Sequence, residues 1–221
     1  VSYWSVDRAG NTETAHSGYA KIDTTSATTT ATGLQASASA AWQKTSPKIT
    51  LSATDNSGGS GVAHTYFTVD GGTQQTYAVP FYLVYDGAHT VVYWSVDKAG
   101  NTESAHTGYV KIDSKAPTAA AKAMALKAAK AKKGKTLKIK VTIGDPTPSC
   151  GSATLTLTLT TKKGKQLWHL VKTAEPTNKA LVISRKLKKA LTKGTYFIVC
   201  RATDAAGNLQ ATASRAKLKI T

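Results

Sequence analysis

The sequence is poor in the motifs and residue types that catalysis or membrane insertion requires. Its 221 residues include two cysteines, one methionine and five histidines, and the histidines are isolated from one another. It contains no His-Glu-x-x-His motif, no Gly-x-Ser-x-Gly turn and no phosphate-binding loop. No run of 18 apolar residues occurs, so the sequence predicts no membrane-spanning helix. From these absences we do not expect an enzyme.

Acidic residues are scarce in the second half of the chain, and this imbalance is the strongest compositional signal. Residues 1–113 contain six basic and nine acidic residues, a net charge of −3. Residues 114–221 contain 23 basic and three acidic residues, a net charge of +20, which brings the whole chain to +17. Such a basic region attracts polyanions and speeds their association, but it does not determine the fold.

The sequence contains an internal repeat of 90 residues. YWSVDRAGN at residues 3–11 returns as YWSVDKAGN at residues 93–101, and the match continues to Asp23 and Asp113. A shorter copy, DAAGN, occurs at residues 204–208. An alternating run before Asp-x-Ala-Gly-Asn predicts a strand that ends in a tight turn, because Asp binds backbone N–H groups and Gly and Asn tolerate positive φ. Ninety residues suit one small β-sandwich domain.

Alternating apolar and polar residues, as at 137–143 and 216–220, predict half-buried strands along the chain. The predicted fold is all-β, with tandem β-sandwiches. Residues 1–23 are predicted to be the C-terminal hairpin of a truncated upstream repeat, residues 24–113 a complete repeat, and residues 114–221 a basic C-terminal domain. We expect the chain to be a C-terminal piece of a longer protein.

Residues 1–113 contain TTATGLQ at 29–35, YFTVDGGTQQTY at 66–77 and VYWSVDKAGN at 92–101. These segments resemble the bacterial immunoglobulin-like repeats of large secreted and surface proteins in actinobacteria, a Gram-positive group. Residues 114–221, through KGTY at 193–196 and ATDAAGN at 202–208, are similar to a C-terminal immunoglobulin-like module that follows such repeats. The resemblance implies tandem immunoglobulin-like Greek-key β-sandwiches of seven strands each, outside the cell. It further implies a spacer or adhesive role, with neighbouring repeats as partners and no enzymatic residues.

Residues 118–133 are ambiguous between helix and strand. They are rich in alanine and lysine, which have high helix propensity. The corresponding segment of the family is a strand, so the resemblance implies a first strand here. We predict that strand.

The two cysteines, Cys150 and Cys200, both fall in the basic domain. In a sandwich of this topology the strand that starts near Gly151 should run antiparallel beside the strand that ends near Thr203, which would bring the cysteines close. We predict a disulfide, favoured by an extracellular compartment. The alternative is a buried free thiol at Cys200 and an incidental Cys150.

Exposed aromatic residues are candidates for sugar binding. Alignment of the last strands places Trp94 at the position of Arg201, and because an arginine is disfavoured inside a sandwich, Trp94 is predicted on an outer face. Trp94 and Tyr109 across the hairpin could stack on sugar rings. The alternative, which we favour, is that Trp94 packs on its cross-strand neighbours.

Oxygen ligands cluster in the second copy of the turn. Asp97, Asn101 and Glu103 lie within seven residues, and Asp55 and Asn56 are expected at the same end of the domain. Calcium needs six to eight oxygen ligands, so a calcium site is one interpretation. The alternative, which we favour, is that Asp97 and Asn101 only cap the turn. No other cofactor is expected.

Two functions remain in view. The first is a non-catalytic structural or adhesive spacer in a secreted or cell-surface protein. The alternative is a module that binds a cell-wall anionic polymer or glycan through lysines on predicted solvent faces, namely Lys138, Lys140, Lys217 and Lys219. Those lysines could instead serve only to prevent aggregation between strands. Nucleic acid is disfavoured as a partner, because the basic domain lacks a nucleic-acid-binding motif.

Overall fold

The computed structural model describes residues 1–127 and 130–221, and the fold is all-β. No helix of the described residues is both long and apolar enough to cross a lipid bilayer. The chain divides into two compact units. The first unit contains Val1–Thr32, Ile49–Pro80 and Val91–Thr107, and the second contains Gly33–Lys48, Phe81–Thr90 and Gly108–Thr221. The domain boundaries placed after residues 23 and 113 stay a prediction.

The described residues form sixteen strands, numbered in chain order. They are β1 (Ser2–Tyr3), β2 (His16–Ser17), β3 (Thr28–Thr32), β4 (Thr50–Thr54), β5 (Val62–Val69), β6 (Gln75–Thr76), β7 (Gly87–Asp97), β8 (His106–Ile112), β9 (Thr118–Ala121), β10 (Met124–Leu126), β11 (Thr136–Gly144), β12 (Ser152–Thr161), β13 (Gln166–Pro176), β14 (Lys179–Lys186), β15 (Gly194–Asp204) and β16 (Ser214–Ile220).

The second unit contains an immunoglobulin-like β-sandwich. Its five-stranded sheet has the order β10-β16-β15-β12-β13, and its three-stranded sheet has the order β14-β11-β9. The pair β10–β16 is parallel, and the other pairs are antiparallel. Consecutive strands β11 and β12 lie in different sheets, and so do β14 and β15, which is Greek-key connectivity. The predicted fold class is confirmed.

The core of this sandwich follows from the alternation in its strands. On β11, Leu137, Ile139, Val141 and Ile143 are buried while the residues between them are exposed. The leucines of β12, Ile198 and Ala202 of β15, and Leu218 and Ile220 of β16 belong to the same core. Because successive side chains of a strand point to opposite faces, one face of each sheet is apolar and the other meets solvent. Full burial of one such leucine or isoleucine contributes roughly 1.5–3 kcal/mol.

The first unit has a smaller core. Here β3 pairs with β4, and β5 pairs with both β6 and β7, all antiparallel. Its buried apolar side chains are Ala27, Ile49, Leu51, Phe67 and Val91.

Residues 1–23 contain a two-stranded hairpin, β1–β2, in which Tyr3 pairs with His16. The two rings are stacked with centroids 5.5 Å apart. Its large apolar side chains are nevertheless exposed, including Trp4 at 57 % and Ile22 at 84 %. Local turn chemistry and strand pairing, rather than burial, therefore define this hairpin.

The first strand predicted within residues 118–133 is present as two short strands, β9 and β10. Ala119 on β9 is buried in the core, and β10 lies beside β16. Tertiary burial outweighs the helix propensity of these alanines and lysines. Residues 128 and 129, which the same prediction covers, lie outside the described residues.

The predicted disulfide between Cys150 and Cys200 is wrong, because both cysteines are free. Strands β12 and β15 do pair antiparallel, but Cys200 lies opposite Leu157. Position 150 precedes Leu157 by seven residues, which corresponds to roughly 23 Å of extended chain. Bridged cysteines need Cα atoms within about 7 Å. The strand pairing was predicted correctly, and the register was not.

Candidate functional sites

The Asp-x-x-x-Asn turn has the same hydrogen bonds in each copy. It occurs at Asp7 and Asn11, Asp97 and Asn101, and Asp204 and Asn208. The asparagine N–H donates to Asp Oδ1 over 2.8–2.9 Å, and the asparagine Nδ2 donates to Asp Oδ2 over 2.8–2.9 Å. The glycine before each asparagine has a φ of 90–91°, a conformation that glycine adopts without steric cost. The predicted capping of the turn is confirmed.

The second and third turns each also bind the end of the preceding repeat copy. Asn101 Nδ2 donates to the backbone oxygen of Asp23 over 3.0 Å. Asn208 Nδ2 donates to the backbone oxygen of Asp113 over 2.6 Å. Asp23 and Asp113 are the last matched residues of successive copies. The turn of one copy therefore holds the end of the copy before it.

A first acidic cluster surrounds the Asp97 turn. One carboxylate oxygen from each of Asp23, Asp55 and Asp97 lies within 4.8 Å of the others. Backbone N–H groups satisfy these carboxylates, because Ser60 N donates to Asp23 Oδ2 over 2.7 Å and Gly61 N donates to Asp55 Oδ2 over 2.6 Å. The hydrogen bond from Ser60 N–H lowers the pKa of Asp23. The carboxylates of this cluster therefore have hydrogen-bond donors within the fold.

A second acidic cluster surrounds the Asp204 turn, and we define it as Asp113, Asp145, Cys150, Asp204 and Asn208. Ligand atoms of Asp113, Asp145 and Cys150 lie within 4.8 Å of one another. Asn208 Nδ2 joins Asp204 to this group, because it donates both to Asp204 Oδ2 over 2.9 Å and to the Asp113 backbone oxygen. The three aspartates and Asn208 are all buried, with exposures of at most 6 %.

The second acidic cluster has fewer hydrogen-bond donors than acceptors. Asp145 Oδ1 and Asn208 Oδ1 are buried without a hydrogen-bond partner. Asp145 Oδ2 accepts from the Ser149 hydroxyl over 2.6 Å, and Asp113 Oδ2 accepts from the Cys150 thiol over 2.9 Å. None of the ion pairs among the described residues involves one of the three aspartates. Buried acceptors of this kind are rare in folded proteins.

Burial and like charge act together on the titratable groups of this cluster. Burial raises the pKa of Asp145, and repulsion from Asp113 and Asp204 raises it further. Burial, together with the hydrogen bond to Asp113, raises the pKa of the Cys150 thiol to about 12. The thiol therefore stays protonated and acts as a hydrogen-bond donor.

The structure brings together only some of the predicted calcium ligands. Asp97 and Asn101 lie side by side in the turn, and Asp55 joins them as expected. Glu103 belongs to another network, where its carboxylate accepts from Thr29 N over 2.9 Å and from Ser95 N over 2.7 Å. Asp23, which the sequence analysis did not include, lies in the cluster where Glu103 was expected. The signal that could have identified Asp23 is that it recurs as Asp113 at the end of the next copy.

The predicted sugar-binding aromatics lie in different units. Trp94, in the first unit, is half-buried and lies opposite Tyr66 on β5, with ring centroids 5.9 Å apart. This is the cross-strand packing that the alternative interpretation predicts. Tyr109, in the second unit, is also half-buried, and its backbone exchanges two hydrogen bonds of 2.9 Å with Gln35. Sugar stacking stays a prediction.

The four predicted binding lysines are exposed but do not converge. Lys138 and Lys140 lie on β11 in the three-stranded sheet, and Lys217 and Lys219 lie on β16 in the five-stranded sheet. Each pair points away from the shared core, so the pairs lie on the two outer faces of the sandwich. They form a distributed positive surface rather than one site.

A basic cleft of about 510 Å³ lies elsewhere in the second unit. Its cationic lining residues are Lys165, Arg185, Lys186, Lys188 and Lys189. The cleft also contains Trp168 and Tyr196, and the Arg185 guanidinium lies 5.9 Å from the Trp168 ring centroid. The indole Nε1 of Trp168 is buried without a hydrogen-bond acceptor. Sequence reasoning did not identify this cleft, because its residues come from separate strands and loops.

No protein-family model and no curated protein matches the chain. Among solved structures, a tetra-tandem repeat from the extending region of a large adhesion protein is 16 % identical, with 99 % of this chain and 55 % of that chain covered and a TM-score of 0.47. Fibronectin(III)-like modules of CbhA from Clostridium thermocellum are 15 % identical, with coverages of 88 % and 94 % and a TM-score of 0.39. The FN1–FN3 domains of chicken CNTN1 are 10 % identical, with coverages of 98 % and 76 % and a TM-score of 0.32. These likenesses concern the fold alone and define no ligand.

Proposed function

We propose that the chain is a non-catalytic array of immunoglobulin-like modules that acts as a spacer in a larger extracellular or cell-surface protein. The observation that carries this proposal is the recurring bond from a turn asparagine to the end of the preceding copy, made by Asn101 to Asp23 and by Asn208 to Asp113. In both places the bond joins the asparagine Nδ2 to the backbone oxygen of the aspartate. Copies joined in one recurring way suit a protein whose task is to span distance.

The polar residues of the repeat support a structural role. In the second copy, Asp97 and Asn101 are occupied by hydrogen bonds to each other within the turn. Glu103 accepts hydrogen bonds from three elements, and Tyr93 stacks on His106 with centroids 5.3 Å apart. These groups are satisfied by neighbours in the fold, as expected where burial and hydrogen bonding serve stability.

A display experiment tests the spacer function. The whole chain is placed between a wall anchor and an epitope tag on a Gram-positive surface, and the distribution of anchor-to-tag distances is compared with that of a Gly/Ser linker of equal length. We expect a narrower distribution with the folded chain, since a flexible linker of 221 residues fluctuates around a root-mean-square span of about 80 Å. Distributions of equal width for the two inserts would contradict the proposal.

A second function is favoured by the basic cleft, namely binding of a phosphate-bearing cell-wall polymer. Five cationic side chains surround one cleft that also contains an aromatic ring, which suits an anionic chain with ring-shaped units. The test measures retention of the whole chain on purified walls, with and without their anionic polymers, across a salt series. Lys188→Gln/Lys189→Gln should reduce retention severalfold.

The matched control carries the same charge change outside the cleft. Lys217→Gln/Lys219→Gln removes two lysines from the outer face of the five-stranded sheet. Equal losses in the two double variants would indicate attraction by net charge without a site. Stronger retention on nucleic acid than on walls would contradict a wall polymer as the ligand.

A further inference from the structure

The second acidic cluster concentrates negative charge in the most basic part of the chain. Residues 114–221 contain three acidic residues, and two of them, Asp145 and Asp204, lie in this cluster with Asp113. The remaining one, Glu175, pairs with Lys172 over 3.8 Å. The 23 basic side chains of the region therefore leave the cluster unneutralised, although carboxylates are costly to bury without a counter-charge.

The unpartnered oxygens give a second and independent sign of a missing ligand. Asp145 is 4 % exposed and Asn208 is 1 % exposed, and each has a buried Oδ1 that accepts no hydrogen bond. Both atoms are pure acceptors, so a donor or a cation would satisfy them. Asp113 and Asp204 already accept hydrogen bonds at both carboxylate oxygens, so Asp145 Oδ1 and Asn208 Oδ1 are the atoms of the cluster that lack a partner. Carboxylate oxygens of Asp113 and Asp145 lie within 4.8 Å of each other, so one cation can contact both.

The loop that follows Asp145 explains the missing donors. In the first acidic cluster, Asn56 N donates to Asp55 Oδ1 over 2.9 Å. The corresponding residue after Asp145 is Pro146, which has no N–H to donate. The oxygen of Asp145 that has no partner is the equivalent Oδ1.

We propose that the second acidic cluster binds a hard divalent cation such as calcium, with Asp113, Asp145 and the amide oxygen of Asn208 as ligands. Carboxylate and amide oxygens are the donors that calcium takes in proteins, and water completes its coordination. Zinc favours thiolate and imidazole ligands, whereas this cluster contains one thiol and no imidazole. The first acidic cluster receives no such assignment, because none of its carboxylate oxygens is buried without a hydrogen-bond partner.

Titration calorimetry of the whole, chelator-treated chain with CaCl₂ and then MgCl₂ is the direct test. We expect one saturable site for at least one of these ions and a thermal midpoint several degrees higher in its presence, as linkage requires. Asp145→Asn should weaken binding at least tenfold and remove the thermal shift. The ion-free variant should melt no lower than the ion-free parent, because the substitution removes repulsion among buried carboxylates.

Two control variants separate this site from general acidity. Glu175→Gln removes the remaining acidic residue of the basic region, and Asp55→Asn alters the first acidic cluster. Both should bind the ion as the parent does. The proposal is overturned if the parent shows no saturable binding, if Asp145→Asn binds normally, or if zinc alone binds and Cys150→Ala abolishes that binding.

Discussion

The two acidic clusters occupy the same point of successive repeat copies but differ in how their carboxylates are satisfied. In the first, the loop DNSGGSG at residues 55–61 places backbone N–H groups against Asp23 and Asp55. In the second, the loop DPTPSCG at residues 145–151 has proline at two positions, and side chains of Ser149 and Cys150 replace backbone donors. These differences between the loops leave the hydrogen bonds within the turn intact and change which donors reach the carboxylates of the cluster.

The difference shows that a few loop residues can convert a self-sufficient turn into a site that requires a ligand. Asp97 and Asp204 make the same bonds to their turn asparagines. What changes is the number of donors in the neighbouring loop and the depth of burial. Three experiments test this difference, in order of decreasing expected effect.

The largest expected effect concerns the reactivity of Cys150, which stands where the first loop has Ser60. A shift of the thiol pKa from 9 to about 12 lowers the thiolate fraction at pH 8 by about 1000-fold, and the thiolate is the reactive form. Alkylation of Cys150 in the folded chain, followed by peptide mapping, should therefore be far slower than in the urea-unfolded chain. Its rate should still climb as the pH rises from 9 to 11, where an ordinary thiol has levelled off.

The same experiment checks the two free thiols. Unfolding without reductant should expose two alkylatable cysteines per chain. Folded and unfolded rates that agree within tenfold would contradict the protonated, buried state of Cys150.

The next effect concerns the asparagines that hold the preceding copy. Asn208→Ala removes bonds to Asp204 and to the Asp113 backbone oxygen in a buried setting, so we expect a loss of about 2–3 kcal/mol in unfolding free energy. Asn101→Ala acts in a half-buried setting and should cost about 1 kcal/mol. Urea unfolding of the whole chain measures both.

Asn11→Ala is the matched control for this series. Asn11 makes the same bonds within its turn but lies in the exposed hairpin. It should leave the main unfolding transition unchanged. Equal losses for the three asparagines would show that the bonds within the turn, rather than the bond to the preceding copy, account for the effect.

The smallest effect exchanges one donor between the two loops. Pro146→Ala restores an N–H beside Asp145 Oδ1 and should reduce the calcium-induced thermal shift by about half, because a hydrogen bond then satisfies part of the cluster. Asn56→Pro makes the reverse change beside Asp55 in the first acidic cluster. Thermal melts with calcium and with chelator measure both variants. If Pro146→Ala showed an undiminished shift, the missing donor at position 146 would not be the cause of the shift.

Much of the fold was predictable, because the relevant information is local. Alternation at Leu137, Ile139 and Val141 has the period of a strand, and the turn at Asp97 and Asn101 is built from residues four positions apart. The register of β12 against β15 is a long-range property, and the failed disulfide prediction reflects this. No local pattern states which residue lies opposite Cys200.

The candidate sites were predictable only in part for the same reason. Asp113 and Asp145 are 32 residues apart in sequence, and Asp204 is 59 residues further on. In the basic cleft, Lys165 precedes β13, whereas Arg185, Lys186, Lys188 and Lys189 follow it in sequence. The sequence shows that Pro146 has no N–H. It does not show that Asp145 Oδ1 lacks any other donor, and only then does the missing N–H matter.

The bond from Asn208 is made to the backbone oxygen of Asp113, not to its side chain. Because every amino acid carries such an oxygen, duplication or reordering of copies during evolution would preserve this bond whatever residue ended the preceding copy. The side chain at this position is therefore free to evolve independently of how the copies are joined. At positions 23 and 113 the aspartate side chain has a separate use, because it accepts hydrogen bonds from Ser60 and from Cys150.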